Sequence, residues 1–478
     1  MVHLELDAFV ARLAEVRKWT GVQFELGERN LIDKPRNLPG LMTQWQSQRQ
    51  KEIYSLLQFP EIPASTIETP SGKRDITQPL VDAIVVPSIR SAEHLYSAVK
   101  LAAHSRCHLV AVYTDSPPAG LSVVLDRFRF SRITLVTVRS DAQHHLLDLG
   151  ASLTQSRVSP AALDISRKRN LGLLIGRVCR WTRMLFLDDD ISKLNVPKLS
   201  AAAALLDKYP VVGLQVRKYP DASVVGHARR LTGRRQEPFV SGGSLLVNPQ
   251  RLNGYFAPVY HEDWLCVINH LRDGEVAVGG SVGQLPYLPF TTPERAQLEE
   301  FGDILLSGLL ALVHARSKDA ADRVRHMTDK EYWREATDPR FWQQILQQRA
   351  TLLADITTRL TGKSFENVPP LQSLQAATER LGELIPGEFV SFTKEWLTSL
   401  VEWRSQLSDL SRVGVADKAR AIDKALAKLG LAHVVRVHDL PVQDVRAKET
   451  DSAEGFASRW GWRSGADNRP RFGMRIRS

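Results

Sequence analysis

Apolar residues recur along this chain in two different patterns. Up to about residue 78 they lie three and four positions apart, which predicts helices, and Pro60, Pro63 and Pro70 mark the end of this region. Short apolar runs then alternate with amphipathic stretches. The runs predict strands at residues 81–87, 108–113, 133–138, 184–187 and 211–216, and the stretches predict helices at residues 92–104, 166–180 and 197–207. This alternation is typical of an α/β protein with a parallel, doubly wound sheet that helices cover on both faces.

The pattern becomes helical again beyond about residue 317. Thr328 and Glu331 have the spacing of a capping box, and Asp338 with Pro339 forms a good N-cap and first-turn pair. Further helices are predicted at residues 371–384, 389–407 and 415–429. Four tryptophans at helical spacing are predicted to lie in the core or rim of a helical bundle: Trp333, Trp342, Trp396 and Trp403.

The chain is therefore predicted to have four parts. They are a helical N-terminal region at residues 1–78, an α/β domain at residues 79–316, a helical C-terminal region at residues 317–440 and a basic, flexible tail at residues 441–478. A length of 478 residues, with 43% hydrophobic and 24% charged residues, suits two or three globular domains. The C-terminal helices are expected to shape an acceptor site or to form a homo-oligomer interface.

Targeting and redox features favour a soluble, cytoplasmic protein. No apolar run reaches the roughly 18 to 20 residues of a membrane span, so no transmembrane segment is expected. Acidic residues stand where a signal peptide carries basic ones. Cys107, Cys179 and Cys266 are far apart and show no C-x-x-C spacing, so they are expected to be reduced core residues.

The net charge of +10 favours an anionic partner such as a nucleotide or a phosphate. Much of this charge lies beyond Arg459, where arginines alternate with Trp460, Trp462 and Phe472. Such a pattern can bind RNA. A mobile tail, or one that packs on its own domain, explains the pattern more simply, and nucleic-acid binding is not expected.

Three consecutive carboxylates, Asp188, Asp189 and Asp190, follow the apolar run at residues 184–187. At the end of a buried strand they repel one another unless a cation or a ring of donors neutralises them. Magnesium and manganese prefer carboxylate oxygens and keep open positions for phosphate. The aspartates are therefore a candidate site for a metal-bound diphosphate; the alternative is a solvated acidic turn that caps the next helix.

Four stretches, in order, resemble the GT-A glycosyltransferases, in particular the inverting family 2, over about residues 80–315. The nucleotide-binding strands and acidic turn of the family are matched by Ala83-Ile-Val-Val-Pro-Ser88 with Val112-Tyr-Thr-Asp-Ser116, and its ARNxG segment is matched by Ser166-Arg-Lys-Arg-Asn-Leu-Gly172. Its DxD signature is matched by Leu185-Phe-Leu-Asp-Asp-Asp190, and its acceptor-side ED motif is matched by Tyr260-His-Glu-Asp-Trp-Leu265. The resemblance implies a GT-A fold with a doubly wound mixed sheet. It also implies transfer of a sugar from a nucleotide-diphosphate sugar donor to a hydroxyl acceptor, as in hexosyltransferases.

The resemblance implies a role for each aspartate. Asp188 and Asp190 together hold Mn²⁺ or Mg²⁺, with Asp190 as the direct ligand and Asp188 nearer the ribose or a metal-bound water. Asp189, the middle position, belongs to the nucleotide-sugar site and is expected to matter least. Some retaining GT-A enzymes add a histidine ligand, for which His314 is the candidate; a histidine at a helix end is also commonly structural.

Other residues are predicted to contact the nucleotide sugar. Arg169, with Arg167 or Lys168 as lesser candidates, offers positive charge to the phosphates, although a solvated basic helix turn explains them equally well. Asp115 is expected to accept a hydrogen bond from the base or ribose, with an Asx-turn as the alternative. The remaining residues assigned to this site are Pro87, Ser88, Asn170, Gly242 and Gly243. The two glycines are expected to let the backbone approach the sugar, or else to mark a strand bulge.

On the acceptor side, Asp263 is the candidate general base that deprotonates the attacking hydroxyl, and Glu262 shares or takes this role. Capping of a helix by the same two carboxylates is the simpler interpretation. Three other functions stay open: a retaining glycosyltransferase, a nucleotidyltransferase that makes nucleotide sugars, and a non-enzymatic scaffold. The segment Pro87-Ser-Ile-Arg-Ser91 lacks the glycine-rich loop expected of a nucleotidyltransferase.

Overall fold

The computed structural model describes residues 58, 80–121, 124, 133–149, 160–217, 223–233, 240–285, 287–317, 327–361, 368–411 and 421–439. The helices predicted before residue 78 and the tail predicted after residue 440 therefore lie outside the described residues. The predicted strands at residues 108–113, 133–138, 184–187 and 211–216 are confirmed to within one residue.

Within the described residues, nine strands form one mixed sheet in the order β5-β8-β6-β7-β4-β1-β2-β3-β9. The strands are β1 Ala83–Pro87, β2 His108–Thr114, β3 Ile133–Val138, β4 Met184–Leu187, β5 Ile191–Ser192, β6 Val211–Arg217, β7 Val240–Val247, β8 Val276–Gln284 and β9 Val435–Asp439. Strands β1 to β4 run parallel, whereas β7 is antiparallel to both β4 and β6. The amino end of β7 and the carboxyl end of β4 therefore share one edge of the sheet.

The described α-helices are α1 Tyr96–Ser105, α2 Pro160–Val178, α3 Val196–Ala204, α4 Val224–Leu231, α5 Glu262–Arg272, α6 Pro293–Ser317, α7 Asp329–Tyr332, α8 Pro339–Leu360, α9 Val368–Glu383, α10 Pro386–Ser411 and α11 Ala421–Lys428. The capping box predicted at Thr328 and the N-cap predicted at Asp338 are both present. None of the described helices is long and apolar enough to cross a membrane.

Apolar layers cover both faces of the sheet, as the strand patterns predict. Successive residues of β1 point to opposite faces, so Val85 packs in one apolar cluster and Ile84 in the other. The first cluster includes α2, α5, α6 and the C-terminal helices, and the second includes α1 and α3. The chain is thus an α/β protein with a mixed sheet.

The C-terminal helices pack on the same core as the sheet and do not stand apart from it. The predicted core role of the tryptophans is confirmed, because Trp333, Trp342, Trp396 and Trp403 are all buried. Residues 435–439 were predicted to belong to a helical region, but they form β9, which pairs antiparallel with β3. This short strand completes the sheet, because the edge of β3 offers a row of backbone groups that a neighbouring strand satisfies.

Candidate active site

A cavity of about 590 Å³ opens at the carboxyl ends of β1 and β4. Its walls are the turn after β1, the first half of α2, the end of β4, the start of β7, the loop that leads into α5, and the first half of α6. The carboxyl edge is where sheets of this kind commonly bind ligands. Many of the residues singled out from the sequence line this cavity: Pro87, Ser88, Arg169, Asp188, Asp189, Asp190, Gly242, Gly243, Glu262 and Asp263.

The aspartate triad, Asp188, Asp189 and Asp190, has partners from the turn after β1 and from the end of β8. Arg90 Nη1 lies 3.0 Å from Asp189 Oδ1, whereas Arg90 Nη2 lies 3.8 Å from Asp190 Oδ2. The Ser88 hydroxyl donates to Asp189. Gln284, at the carboxyl end of β8, donates from Nε2 to Asp190 Oδ2 at 3.1 Å.

Asp189 is the most buried member of the triad. Its side chain is 8% exposed, compared with 17% for Asp190 and 28% for Asp188. The sequence predicts that Asp189 matters least, whereas the structure gives it both Ser88 and Arg90 as partners. Its carboxylate joins the turn after β1 to the end of β4, and so shapes the cavity floor.

Arg169 connects the aspartate triad to the ED pair, which is Glu262 and Asp263. Its Nη2 donates to both oxygens of Asp188, at 2.9 and 3.0 Å, and its Nη1 donates to Glu262. Arg169 is buried. Burial opposes its charge, but Asp188 and Glu262 outweigh that effect and raise the pKa of Arg169. The guanidinium is therefore a fixed positive charge between the two groups of carboxylates.

Gly242 and Gly243 of β7 are closely surrounded by these same side chains. A Cβ added at Gly243 would lie 2.7 Å from Asp188 Oδ2. One added at Gly242 would lie 2.6 Å from Arg169 Nη1 and 2.8 Å from Asp263 Cβ. The glycines thus let β7 approach the charged groups of the protein itself, which explains them without a bound sugar.

The ED pair begins α5 at the cavity wall, where two carboxylates also suit the positive end of the helix dipole. Asp263 Oδ2 accepts a hydrogen bond from Gly242 N at 2.6 Å, and Asp263 Oδ1 accepts one from Trp264 N at 2.8 Å. Glu262 lies deeper, against Arg169. Burial raises the pKa of Glu262, and Arg169 acts in the opposite direction. Both carboxylates line the cavity, and Asp263, the less buried of the two, has the greater access to it.

The carboxylates of the triad can be tested for their fit to a divalent cation. Burial raises the pKa values of both Asp189 and Asp190, and the negative charge of Asp188 adds to this at each of them. A cation beside Asp190 would relieve that cost. Among the described residues, no three His, Cys, Asp or Glu side chains form a self-contained metal site, and Arg169 engages both oxygens of Asp188. The site fits a cation held by Asp190 and completed by phosphate and water oxygens, a mode that Mg²⁺ commonly uses.

Three residues assigned to the site from the sequence do not line the cavity. Asp115 is exposed at the end of β2, has a φ of 61°, and accepts a hydrogen bond at 2.7 Å from the backbone N of Ser140, which is a long-range contact and not the local contact of an Asx-turn. Asn170 is buried and exchanges two hydrogen bonds of 2.8 Å with the Phe256 backbone. His314 lies in the last turn of α6, 13 residues beyond the cavity-lining Phe301, or about 20 Å along the helix.

The two lesser basic candidates of α2 are occupied by structural contacts. Arg167 donates from Nε to Asp148 Oδ1 at 2.6 Å. Lys168 is buried and donates from Nζ to the Ser88 carbonyl at 3.0 Å and to Asp164 at 2.5 Å. Lys168 therefore fastens α2 to the turn after β1.

Sequence reasoning missed Arg90 and Gln284. The sequence contains a signal for Arg90, because a basic residue three positions after a predicted strand end lies at the ligand-binding edge of the sheet. Gln284 had none, because it is 94 residues from Asp190 in sequence.

Comparisons of this chain with protein-family models and with curated proteins give no match. A function is therefore inferred from the arrangement of charges around the cavity. That arrangement is an acidic edge with a cation-compatible carboxylate, a buried arginine, and a second carboxylate across the same cavity.

Proposed function

We propose that the cavity binds a nucleotide-diphosphate sugar with Mn²⁺ or Mg²⁺ and transfers the sugar to a hydroxyl acceptor, with inversion at the anomeric carbon. The observation that carries the proposal is that Asp190 and Asp263 line one cavity, from the end of β4 and from the start of α5. A diphosphate leaving group needs positive charge on one side, and a hydroxyl nucleophile needs a base on the other. The resemblance of the triad and the ED pair to glycosyltransferase motifs supports the same conclusion.

On the donor side, Asp190 would hold the cation, which neutralises charge on the leaving diphosphate. Asp189 keeps the turn after β1 in place through Ser88 and Arg90. Arg90 has 44% of its side chain exposed and supplies a further positive charge at the cavity floor. Asp188 stays paired with Arg169 and preserves the spacing between the donor and acceptor sides.

On the acceptor side, Asp263 takes the proton of the acceptor hydroxyl. The hydroxyl oxygen of the acceptor then bonds to the anomeric carbon as the bond from that carbon to the diphosphate breaks. The two backbone N–H groups that donate to Asp263 fix its orientation. Glu262 holds Arg169 in position and does not receive the proton.

Asp190→Asn tests the donor side by thermal shift with a panel of nucleotides and nucleotide sugars, with and without Mn²⁺. In the wild type, one nucleotide family with Mn²⁺ is expected to raise the melting temperature by about 2 to 5 °C. Asp190→Asn is expected to lose this shift. Without ligand, the variant is expected to melt at the same or a higher temperature, because burial raises the pKa of Asp190 and its ionised form lowers stability at neutral pH.

Asp207→Asn is the matched control, since Asp207 pairs with Arg183, which precedes the amino end of β4, and neither residue lines the cavity. It should keep the full ligand-dependent shift. A wild-type protein that no nucleotide stabilises would exclude the proposed donor, and a full shift in Asp190→Asn would exclude Asp190 as the cation ligand.

A further inference from the structure

His261, directly before the ED pair, has an unusual backbone conformation. Its φ of 70° lies in the left-handed region, where the Cβ of a non-glycine residue is crowded. Its Nε2 lies 2.7 Å from Asp303 Oδ1 on α6. The same helix approaches the loop closely at Gly302, where an added Cβ would lie 2.3 Å from the Tyr260 carbonyl oxygen. Helix α6 therefore holds this loop both by backbone packing and by a polar contact.

Asp303 connects His261 to the C-terminal helices. Its Oδ2 accepts a hydrogen bond from Arg349 Nη2, on α8, at 2.8 Å. Arg349 also forms two hydrogen bonds with Glu300, of 2.7 and 2.6 Å. Glu300, Asp303 and Arg349 are all buried. A continuous series of polar contacts thus runs from α8, through α6, to the residue that precedes Glu262.

The charges of this buried cluster favour a protonated His261. Two carboxylates, Glu300 and Asp303, share the guanidinium of Arg349, and Arg380 also acts on Glu300. A buried carboxylate is strongly unfavourable without a positive partner, and an imidazolium at His261 supplies one to Asp303.

The groups that face His261 act in the same direction. Burial lowers the pKa of His261, but Asp303, Asp263 and Glu262 together outweigh burial and raise it. Arg349, on the far side of Asp303, and the Tyr260 ring, whose centroid is 4.2 Å from that of the imidazole, also lie near His261.

We propose that His261 is a positioning residue: its imidazolium, anchored by Asp303 and Arg349, fixes the start of α5 so that Asp263 faces the cavity. The catalytic consequence rests on the proposed function, whereas the protonation state and the anchoring are properties of the fold alone. The C-terminal helix α8 therefore contributes to the site through its contact with Asp303.

The anchoring is tested by NMR of the full-length protein labelled with ¹⁵N-histidine. The His261 ring signal is assigned by its loss in His261→Asn, because asparagine tolerates the left-handed backbone. A pH titration of the wild-type ring is expected to give a pKa above the ordinary histidine value, and Asp303→Asn is expected to lower that pKa. Asp303→Glu keeps the charge and should keep the raised pKa. His104→Asn, at an exposed position, should leave the His261 signal unchanged.

A wild-type ring whose pKa is not above the ordinary histidine value, or a pKa that is unchanged in Asp303→Asn, would overturn the proposal. A separate kinetic experiment measures the rate of sugar transfer. His261→Asn and Asp303→Asn are expected to lower kcat by about 10- to 100-fold with the donor KM unchanged, as for a misplaced reacting group. In Asp303→Asn the alkaline limb of the kcat profile should also move to lower pH, because loss of the carboxylate lowers the pKa of His261.

The NMR and kinetic measurements test the positioning role of His261 and the proposed sugar transfer separately. If the wild type turns over no nucleotide sugar, the proposed function fails, while the NMR result still decides whether Asp303 raises the pKa of His261. If transfer is observed and both variants retain the wild-type kcat, the positioning role is excluded even though the proposed function stands.

Discussion

Asp263→Asn is expected to lower kcat for sugar transfer by about 10²- to 10⁴-fold, the usual contribution of a general base, while donor binding is retained. An amide has nearly the size of the carboxylate but does not take a proton from the acceptor hydroxyl. Its oxygen can still accept one of the two backbone hydrogen bonds, from Gly242 or Trp264, so the start of α5 should keep its place. The measurement is the rate of nucleoside diphosphate formation, with thermal shift as the test of donor binding.

Asp273→Asn provides the matched control at the other end of the same helix. Asp273 follows α5 and pairs with Arg272 away from the cavity lining, so its amide variant should keep the wild-type kcat. An unchanged kcat in Asp263→Asn would remove Asp263 as the base. If Glu262→Gln alone then abolished transfer, the role would pass to Glu262.

Arg169→Met is expected to lower the free energy of unfolding by about 3 kcal/mol at pH 8, the lower end of the usual cost of removing one partner of a buried ion pair. Methionine fills much of the volume but leaves Asp188 and Glu262 without their shared cation. Burial already raises the pKa of Glu262, and without Arg169 it rises further. A group whose pKa is raised on folding lowers stability as the pH increases through that pKa, so the loss should be smaller at pH 5 than at pH 8.

Denaturant unfolding at both pH values measures this effect. Arg183→Met is the control, since Arg183 pairs with the largely exposed Asp207 and such surface pairs contribute at most about 1 kcal/mol. An equal loss in the two variants, or a loss in Arg169→Met that does not depend on pH, would contradict the assignment of Arg169 as the cation shared by the triad and the ED pair.

The parts of the fold that local pattern determines were predictable from the sequence. The apolar run before Asp188 has the length of a buried strand, and its end lies at the carboxyl edge of the sheet, where the cavity opens. Helix α2 begins at Pro160, earlier than the prediction of residue 166. Proline favours the first helical position, so this start carried a signal that the apolar periodicity alone did not use.

The contacts that organise the site were not predictable, because they join residues far apart in sequence. The series from His261 to Asp303 to Arg349 spans separations of 42 and 46 residues, and no local pattern relates them. Asp189 shows the same limit. Its position in the motif predicts a minor role, and this stays a prediction, but its hydrogen bond from Ser88 joins residues 101 positions apart. Tertiary packing decides which carboxylate of a cluster turns inward.

The release of nucleoside diphosphate from a panel of nucleotide sugars, by the wild-type protein with Mn²⁺, tests the central claim most directly. We expect one nucleotide family to yield nucleoside diphosphate, the reaction to stop when the metal is chelated, and Asp190→Asn to show none. If no nucleotide sugar yields nucleoside diphosphate, and the protein instead forms pyrophosphate from a nucleoside triphosphate and a sugar phosphate, the cavity is a nucleotidyltransferase site and the proposed sugar transfer is wrong.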